Sequence, residues 1–159
     1  MNTLRNSTIA IACMIAFAPM SYAAPEWLKG NEQQEIHTLA DLQPGLGTIM
    51  IEYSRRFTTM YYAAKGGNWG MAEYQVKEMP EIQEVGENTR PKFAPMLKAF
   101  EQSSLTKLSE AVKEKDWKKF EVAFHDAAAG CNGCHAANGY GFIRYELPKS
   151  SPSPTSNKP

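Results

Sequence analysis

The chain has 159 residues, with 17 basic and 17 acidic side chains, so its formal net charge at pH 7 is zero. This length supports one ordinary domain, and the balanced charge gives no reason to expect nucleic acid or an anionic membrane surface as a partner. Disulfide staples close long loops, and the chain has only Cys13 and the close pair Cys131 and Cys134. A disulfide framework is therefore excluded.

The first 23 residues are predicted to be a secretory signal peptide. Arg5 is their only charged residue, Ile9 to Ala18 is an uncharged apolar run, and Ser21-Tyr22-Ala23 supplies the small residues that a signal peptidase reads. The run is too short for a permanent membrane anchor, which is the alternative interpretation. We expect cleavage after residue 23, removal of Cys13 with the signal, and a periplasmic location for the remaining chain.

Helical periodicity follows a lead-in over residues 24–43, in which a short helix is predicted over Glu32–Leu42. Apolar residues then recur every three or four positions over residues 46–64, which predicts a first amphipathic helix. A second helix is predicted from Asn68. Pro80 lies within it and favours a kink or a break, because proline removes a backbone hydrogen bond.

A third helix is predicted to start near Pro95, with Ser104 interrupting its apolar stripe, and Asp116 is expected to cap a fourth. Four helices with short connections predict an all-α fold, an up-and-down four-helix bundle over residues 44–147. Residues 148–159 are rich in Pro, Ser and Lys, which predicts a disordered tail.

The motif Cys131-Asn132-Gly133-Cys134-His135 indicates the chemistry of the chain. Residues three apart lie on the same face of a helix, so both thiols can reach the two vinyl groups along one haem edge. His135 can then bind the iron. The motif predicts one covalent haem c, held by thioethers of Cys131 and Cys134, with the small Asn132 and Gly133 letting the haem lie close to the backbone.

Two other interpretations of the cysteine pair are weaker. A redox-active Cys-x-x-Cys pair usually opens a helix in a strand–helix fold, whereas this pair ends a predicted helix in an all-helical chain. A structural zinc ion needs four ligands, and the chain offers no second cysteine pair, while His37 and His125 are scattered.

A helical bundle with Cys-x-x-Cys-His at the end of its last helix resembles the cytochromes c-prime, over roughly residues 46–135. The chain also resembles a group of secreted bacterial monohaem proteins that continue past the motif much as residues 139–148 do here. The first resemblance implies an iron that is often five-coordinate and binds small gases. Cytochromes c-prime usually have a basic residue four positions after the haem histidine, where this chain has Gly139, and the nearest basic residue downstream is Arg144.

The same resemblance implies that a residue from an early turn of the first helix covers the distal face of the iron. Met50 lies at that depth and is the predicted distal ligand, the alternative being a methionine that only fills the core. Met60 is core filler at a deeper level. His125 precedes the haem histidine by about 15 Å along the same helix and is not expected to bind iron. His37 could reach the iron only if the lead-in folds back.

Residues after the motif are predicted to contact the haem. Phe142 and Tyr145 are expected to fold over its edge, and Arg144 is a candidate partner for a propionate. Five aromatic residues are expected to pack around the porphyrin or in the core: Tyr53, Phe57, Trp117, Phe120 and Phe124.

These features predict a periplasmic monohaem c-type cytochrome that passes single electrons to redox partner proteins. The alternative function is the binding or sensing of small gases such as NO and CO at a five-coordinate haem. A haem enzyme is disfavoured, because no distal His/Arg pair can be identified, so we expect no enzymatic activity. No permanent membrane anchor is expected, and both a monomer and a homodimer remain open.

Overall fold

The computed structural model describes residues 25–151 and residue 158. The described residues form helices and no strands, which confirms the predicted all-α class. They divide into two compact units, one ending at Asp41 and one beginning at Leu42. The predicted signal peptide, Cys13 and most of the predicted tail lie outside the described residues. No helix in the described part of the chain is long and apolar enough to cross a membrane.

The first unit contains helix α1, Glu32–Asp41. Asn31 and Gln34 exchange hydrogen bonds between side chain and backbone, at 2.9 and 3.0 Å, which satisfies two amides at the start of the helix. The short helix predicted over Glu32–Leu42 is therefore confirmed, one residue shorter. His37 lies on α1 and is exposed.

The second unit contains five α-helices. Two of them begin as the sequence predicts, because the Asn68 side chain accepts a hydrogen bond from the Met71 amide and the Asp116 side chain accepts one from the Lys119 amide, at 3.0 and 3.1 Å. The helices are α2 Leu46–Lys65, α3 Trp69–Thr89, α4 Ala94–Phe100, α5 Thr106–Glu114 and α6 Trp117–Ala137.

The third predicted helix is interrupted where its stripe breaks. A single 3₁₀ turn, Pro91–Phe93, leads into α4, and a π-helical segment, Glu101–Leu105, joins α4 to α5. In this segment the Thr106 amide donates to the Glu101 carbonyl, five residues back. Residues five apart do not share a face of a regular α-helix. The wider π turn nevertheless lets both Phe100 and Leu105 pack at the core. The second unit therefore has five α-helices where four were predicted.

Helix α3 runs through Pro80 without a break, contrary to one of the two predicted outcomes. Beyond Pro80 the buried positions are Gln83 and Gly86, while Ile82 and Val85, which the predicted stripe placed inside, are half-buried. Gly86 lies close to α2: a Cβ atom there would meet the Leu46 side chain at 3.0 Å. The small residue permits this close approach between two helices.

The core of the second unit is aromatic between α2 and α6. The Phe57 and Phe124 rings stack with centroids 4.1 Å apart, and Tyr61 contacts Phe120 and Trp117. Tyr61 lies one turn after Phe57 on α2, whereas its partner Phe120 lies one turn before Phe124 on α6. The two helices are therefore antiparallel. Helix α3 packs on both α2 and α5, and α6 packs on both α5 and α2.

Candidate functional site

The predicted haem motif lies in the last two turns of α6, as expected. Cys131 and Cys134 are free thiols and are half-buried. Their spacing places both sulfurs on one side of the helix, and His135 follows close to the end of α6 at Ala137. The structure therefore brings the three residues together at one end of the second unit.

Cys131 faces the interior. Burial is the main cause that raises the pKa of its thiol to about 12, and the nearby Cys134 contributes in the same direction. The Cys131 charge in turn raises the pKa of both Tyr53 and Tyr145, after the larger effect of their own burial. The thiol of Cys131 therefore lies near Tyr53 of α2 and near Tyr145, which follows α6.

His135 is half-buried, and its Nδ1 lies 2.9 Å from the Ile143 carbonyl oxygen. A carbonyl oxygen can only accept a hydrogen bond, so Nδ1 must carry the proton. In the neutral imidazole this leaves the lone pair on Nε2, which is then the metal-binding atom of the ring.

The chain reverses direction directly after α6, in a part that we call the return segment, residues 139–147. Gly139 has φ of +82°, a conformation that favours glycine, and the Tyr140 amide donates to the His135 carbonyl at 2.7 Å. A Cβ atom on Gly141 would lie 3.7 Å from the Ala136 backbone. The return segment therefore lies against the last turn of α6.

Asn132 ties the return segment to the motif. The Tyr145 amide donates to the Asn132 side-chain oxygen at 2.7 Å, and the Asn132 side-chain nitrogen donates to the Tyr145 carbonyl at 3.1 Å. Sequence reasoning treated Asn132 only as a small residue and missed this role. A residue thirteen positions away supplies the partner, so no local pattern could have indicated it.

Tyr145 is half-buried and packs against the aromatic core. Its ring lies edge-on to Phe57 at 5.0 Å and to Phe124 at 6.2 Å, and its hydroxyl is 3.1 Å from the Thr58 hydroxyl. Burial is the main cause that raises the Tyr145 pKa to about 12. Phe142, which was expected to fold over the haem edge together with Tyr145, is 81% exposed.

Asn138 links the motif to α4. Its side-chain nitrogen donates to the Cys134 carbonyl at 2.8 Å, and the same nitrogen lies 3.7 Å from the Cys134 sulfur and 3.4 Å from the Met96 sulfur. A half-buried methionine thus lies beside the motif. Met96 lies outside the apolar stripe of the third predicted helix, so its place beside the motif was not predicted.

Met50, the predicted distal ligand, is half-buried on α2. Met50 lies about two helical turns before Phe57 on α2, and Cys131 lies about two turns after Phe124 on α6. Phe57 and Phe124 are stacked on each other. Because the two helices are antiparallel, Met50 and Cys131 lie at the same level. Met60 is fully buried in the core, which confirms its interpretation as core filler.

The remaining candidates lie on the surface. His125 is exposed on α6, next to Phe124. Arg144 is exposed and forms no ion pair within the described part of the chain, so its assignment to a propionate stays a prediction. His37 belongs to the first unit, and its role as a ligand likewise stays a prediction.

A buried polar network lies beside the site, centred on the fully buried Gln83 of α3. Its side-chain oxygen accepts from the Tyr53 hydroxyl at 3.3 Å. Its side-chain nitrogen lies 3.1 Å from the Leu97 carbonyl and 2.9 and 3.2 Å from carboxylate oxygens of Glu87 and Glu101. Tyr53, whose pKa is raised by both Cys131 and Glu101 after its own burial, therefore connects the network to the surroundings of Cys131.

The donor set fits a covalent haem. Two free thiols on one side of a helix and a histidine whose Nδ1 is engaged are the groups that this cofactor requires. Gly133, on the face of α6 away from the two thiols, is exposed and has nothing within 4 Å of an added Cβ atom. No group of three or more His, Cys, Asp or Glu side chains among the described residues could hold a metal ion.

No protein-family model, no curated protein and no solved structure matches this chain.

Proposed function

We propose that this protein is a periplasmic c-type cytochrome with one covalent haem, which passes single electrons between redox partner proteins. The observation that supports it best is the arrangement at the end of α6: Cys131 and Cys134 on one side of the helix, and His135 with Nδ1 bonded to the Ile143 carbonyl. This arrangement matches the order in which a c-type haem is bound, by two thioethers and then an imidazole.

The haem would supply the one-electron chemistry, and the chain supplies attachment, orientation and exclusion of water. Cys131 and Cys134 would hold one edge of the ring, and His135 would bind iron through Nε2. Tyr53 of α2 and Tyr145 of the return segment, both close enough to Cys131 to respond to its charge, would border the ring. The apolar core around Phe57 and Phe124 lowers the local polarity.

We further propose that α2, α3, the α4–α5 pair and α6 form an up-and-down four-helix bundle similar to that of the cytochromes c-prime. The short connections after α2 and α5 support it, as does the cycle of contacts from α2 through α3 and α5 to α6. The π segment then counts as an irregular turn within one helix.

Gas binding at an open distal face is the second candidate function. It is favoured by the position of the other histidine of this unit, because His125 is exposed and about 15 Å from His135 along α6. A sixth ligand from this unit would then be a methionine, Met50 or Met96, and without one the distal face is open. We propose Met50, because it lies at the level of Cys131.

The test is to express the full chain in a bacterium that attaches haem c and to isolate it from the periplasm. Denaturing mass spectrometry should show one covalent haem, and Cys131→Ala and Cys134→Ala should each remove one thioether. Reduced and oxidised optical spectra, with and without carbon monoxide, then decide between the functions. A low-spin spectrum that carbon monoxide does not change supports electron transfer, a high-spin one that shifts supports gas binding, and a chain without haem refutes both.

A further inference from the structure

The return segment holds the ring of His135 through a backbone group rather than a side chain. The Ile143 carbonyl lies 2.9 Å from Nδ1. A histidine ligand that donates its second ring proton to a carbonyl is fixed in tautomer and orientation, and it becomes a stronger electron donor to the metal. The position of the Ile143 carbonyl oxygen therefore determines the direction in which Nε2 of His135 points.

That carbonyl is fixed on both sides. On one side the Ile143 amide donates to the Tyr140 carbonyl at 2.8 Å, and the Tyr140 amide is bonded to His135. On the other side Tyr145 is held by two hydrogen bonds to Asn132, a residue of the motif itself. The segment thus begins and ends on the same two turns of α6 that carry the cysteines.

Tyr145 also ties the segment to a second helix. Its hydroxyl bonds to Thr58 of α2, and its ring lies against Phe57. Movement of the return segment would require loss of these contacts and of both bonds to Asn132. The Ile143 side chain takes no part, since it is 49% exposed.

We infer that residues 139–147 are the positioning element of the haem ligand, in which Asn132, through Tyr145, holds the Ile143 carbonyl against Nδ1 of His135 and so directs Nε2 to the iron. This inference rests on the proposed haem site. Asn132 and Tyr145 are positioning residues, because they act on the iron only through His135.

Two variants of the haem-loaded protein disturb the segment in different ways. Asn132→Ala removes both bonds to Tyr145. Gly139→Ala leaves the motif intact and strains the turn at φ +82°, where an alanine is disfavoured although space is available. Ile143→Ala is the control that keeps the carbonyl, and Gly70→Ala is a control at an exposed helical glycine without positive φ.

The first readout is hydrogen exchange of the His135 Nδ1 proton, followed by NMR on protein labelled with ¹⁵N in histidine. We expect exchange to be at least about tenfold faster in Asn132→Ala and Gly139→Ala than in the wild type, and unchanged in both controls. The second readout is the reduction potential. It should rise in the two test variants, because a less basic imidazole stabilises ferric iron less.

Haem content separates the inference from the proposed function. If both test variants carry a full covalent haem and match the wild type in exchange and potential, the return segment does not position His135 and the inference is overturned. If the wild type itself carries no covalent haem, the proposed function fails, and the inference fails with it. Two test variants are used so that a failure of haem attachment in Asn132→Ala does not decide the result.

Discussion

Asn132 and Tyr145 are joined by two hydrogen bonds, one in each direction between the Asn132 side chain and the Tyr145 backbone. An amide side chain can replace a backbone partner in this way, because it carries a donor and an acceptor side by side. The pair joins a residue inside the predicted haem motif to one that packs against the core. Changes at Tyr145 should therefore affect both stability and the site.

Tyr145→Phe should lower the free energy of unfolding by about 1 kcal/mol, because it removes the hydrogen bond to Thr58 and keeps the ring between α2 and α6. Urea denaturation of the haem-loaded protein measures the change. Tyr140→Phe is the matched control: Tyr140 is exposed, so its loss of a hydroxyl should cost less than about 0.5 kcal/mol. Equal effects at the two positions would contradict the role given to the Thr58 contact.

Met50→Ala should convert a low-spin haem that resists carbon monoxide into one that binds it, because the substitution removes the proposed sixth ligand. Optical titration with carbon monoxide measures the change. Met60→Leu should leave the spectrum unaltered, since Met60 is buried in the core. If Met96→Ala opens the distal face and Met50→Ala does not, the ligand comes from α4 instead, next to Asn138.

The haem-free chain should lose stability as the pH rises between about 9 and 12. Burial raises the pKa of Cys131 from 9.0 to about 12 and that of Tyr145 from 10.0 to about 12, so the unfolded chain releases these protons first. The free energy of unfolding then falls with pH, by at most about 1.4 kcal/mol per pH unit for each group.

Urea denaturation at several alkaline pH values measures this slope. Cys131→Ala should remove the contribution of the thiol to the fall in unfolding free energy between pH 9 and 12. The haem-loaded protein should also lack this contribution, because a thioether sulfur carries no proton. An identical pH dependence of wild type and Cys131→Ala would show that the folded thiol does not retain its proton more strongly than the unfolded one.

Gln83→Leu should destabilise the second unit by about 1–3 kcal/mol, because it leaves the Tyr53 hydroxyl and the Leu97 carbonyl without their buried partner. Thermal or urea unfolding measures the loss. Gln102→Leu serves as the control at an exposed glutamine of the neighbouring π segment and should change stability by less than about 0.5 kcal/mol. A neutral Gln83→Leu would mean that the network is satisfied by other groups.

Local chemistry explains which parts of the fold could be predicted. The starts of α3 and α6 follow from Asn68 and Asp116, whose side chains bond to amides three residues ahead, and the range of α2 follows from one apolar stripe. These signals lie within a few residues of the feature that they predict. The haem motif is of the same kind, because its spacing alone places two thiols on one side of α6.

Features that depend on distant residues were not predictable. The apolar stripe predicts that Ile82 is buried, but the buried residue is Gln83. Gln83 can be buried because four hydrogen-bonding partners surround it in the packed structure. Ser104 interrupts the apolar stripe, yet no local pattern distinguishes a π segment from a loop. The partners of Asn132 and His135 lie in the return segment, and only the reversal after Gly139 brings them close.

The bond pattern at Asn132 has a consequence for the chemical lifetime of the protein. Asn132 is followed by Gly133, and in a free chain an asparagine before a glycine loses its amide readily, because the glycine nitrogen can attack the side-chain carbonyl. Here the helix holds that nitrogen in place and Tyr145 holds the side chain. The folded protein should therefore keep Asn132 intact, and its conversion to aspartate should be a marker of molecules that have lost the return segment.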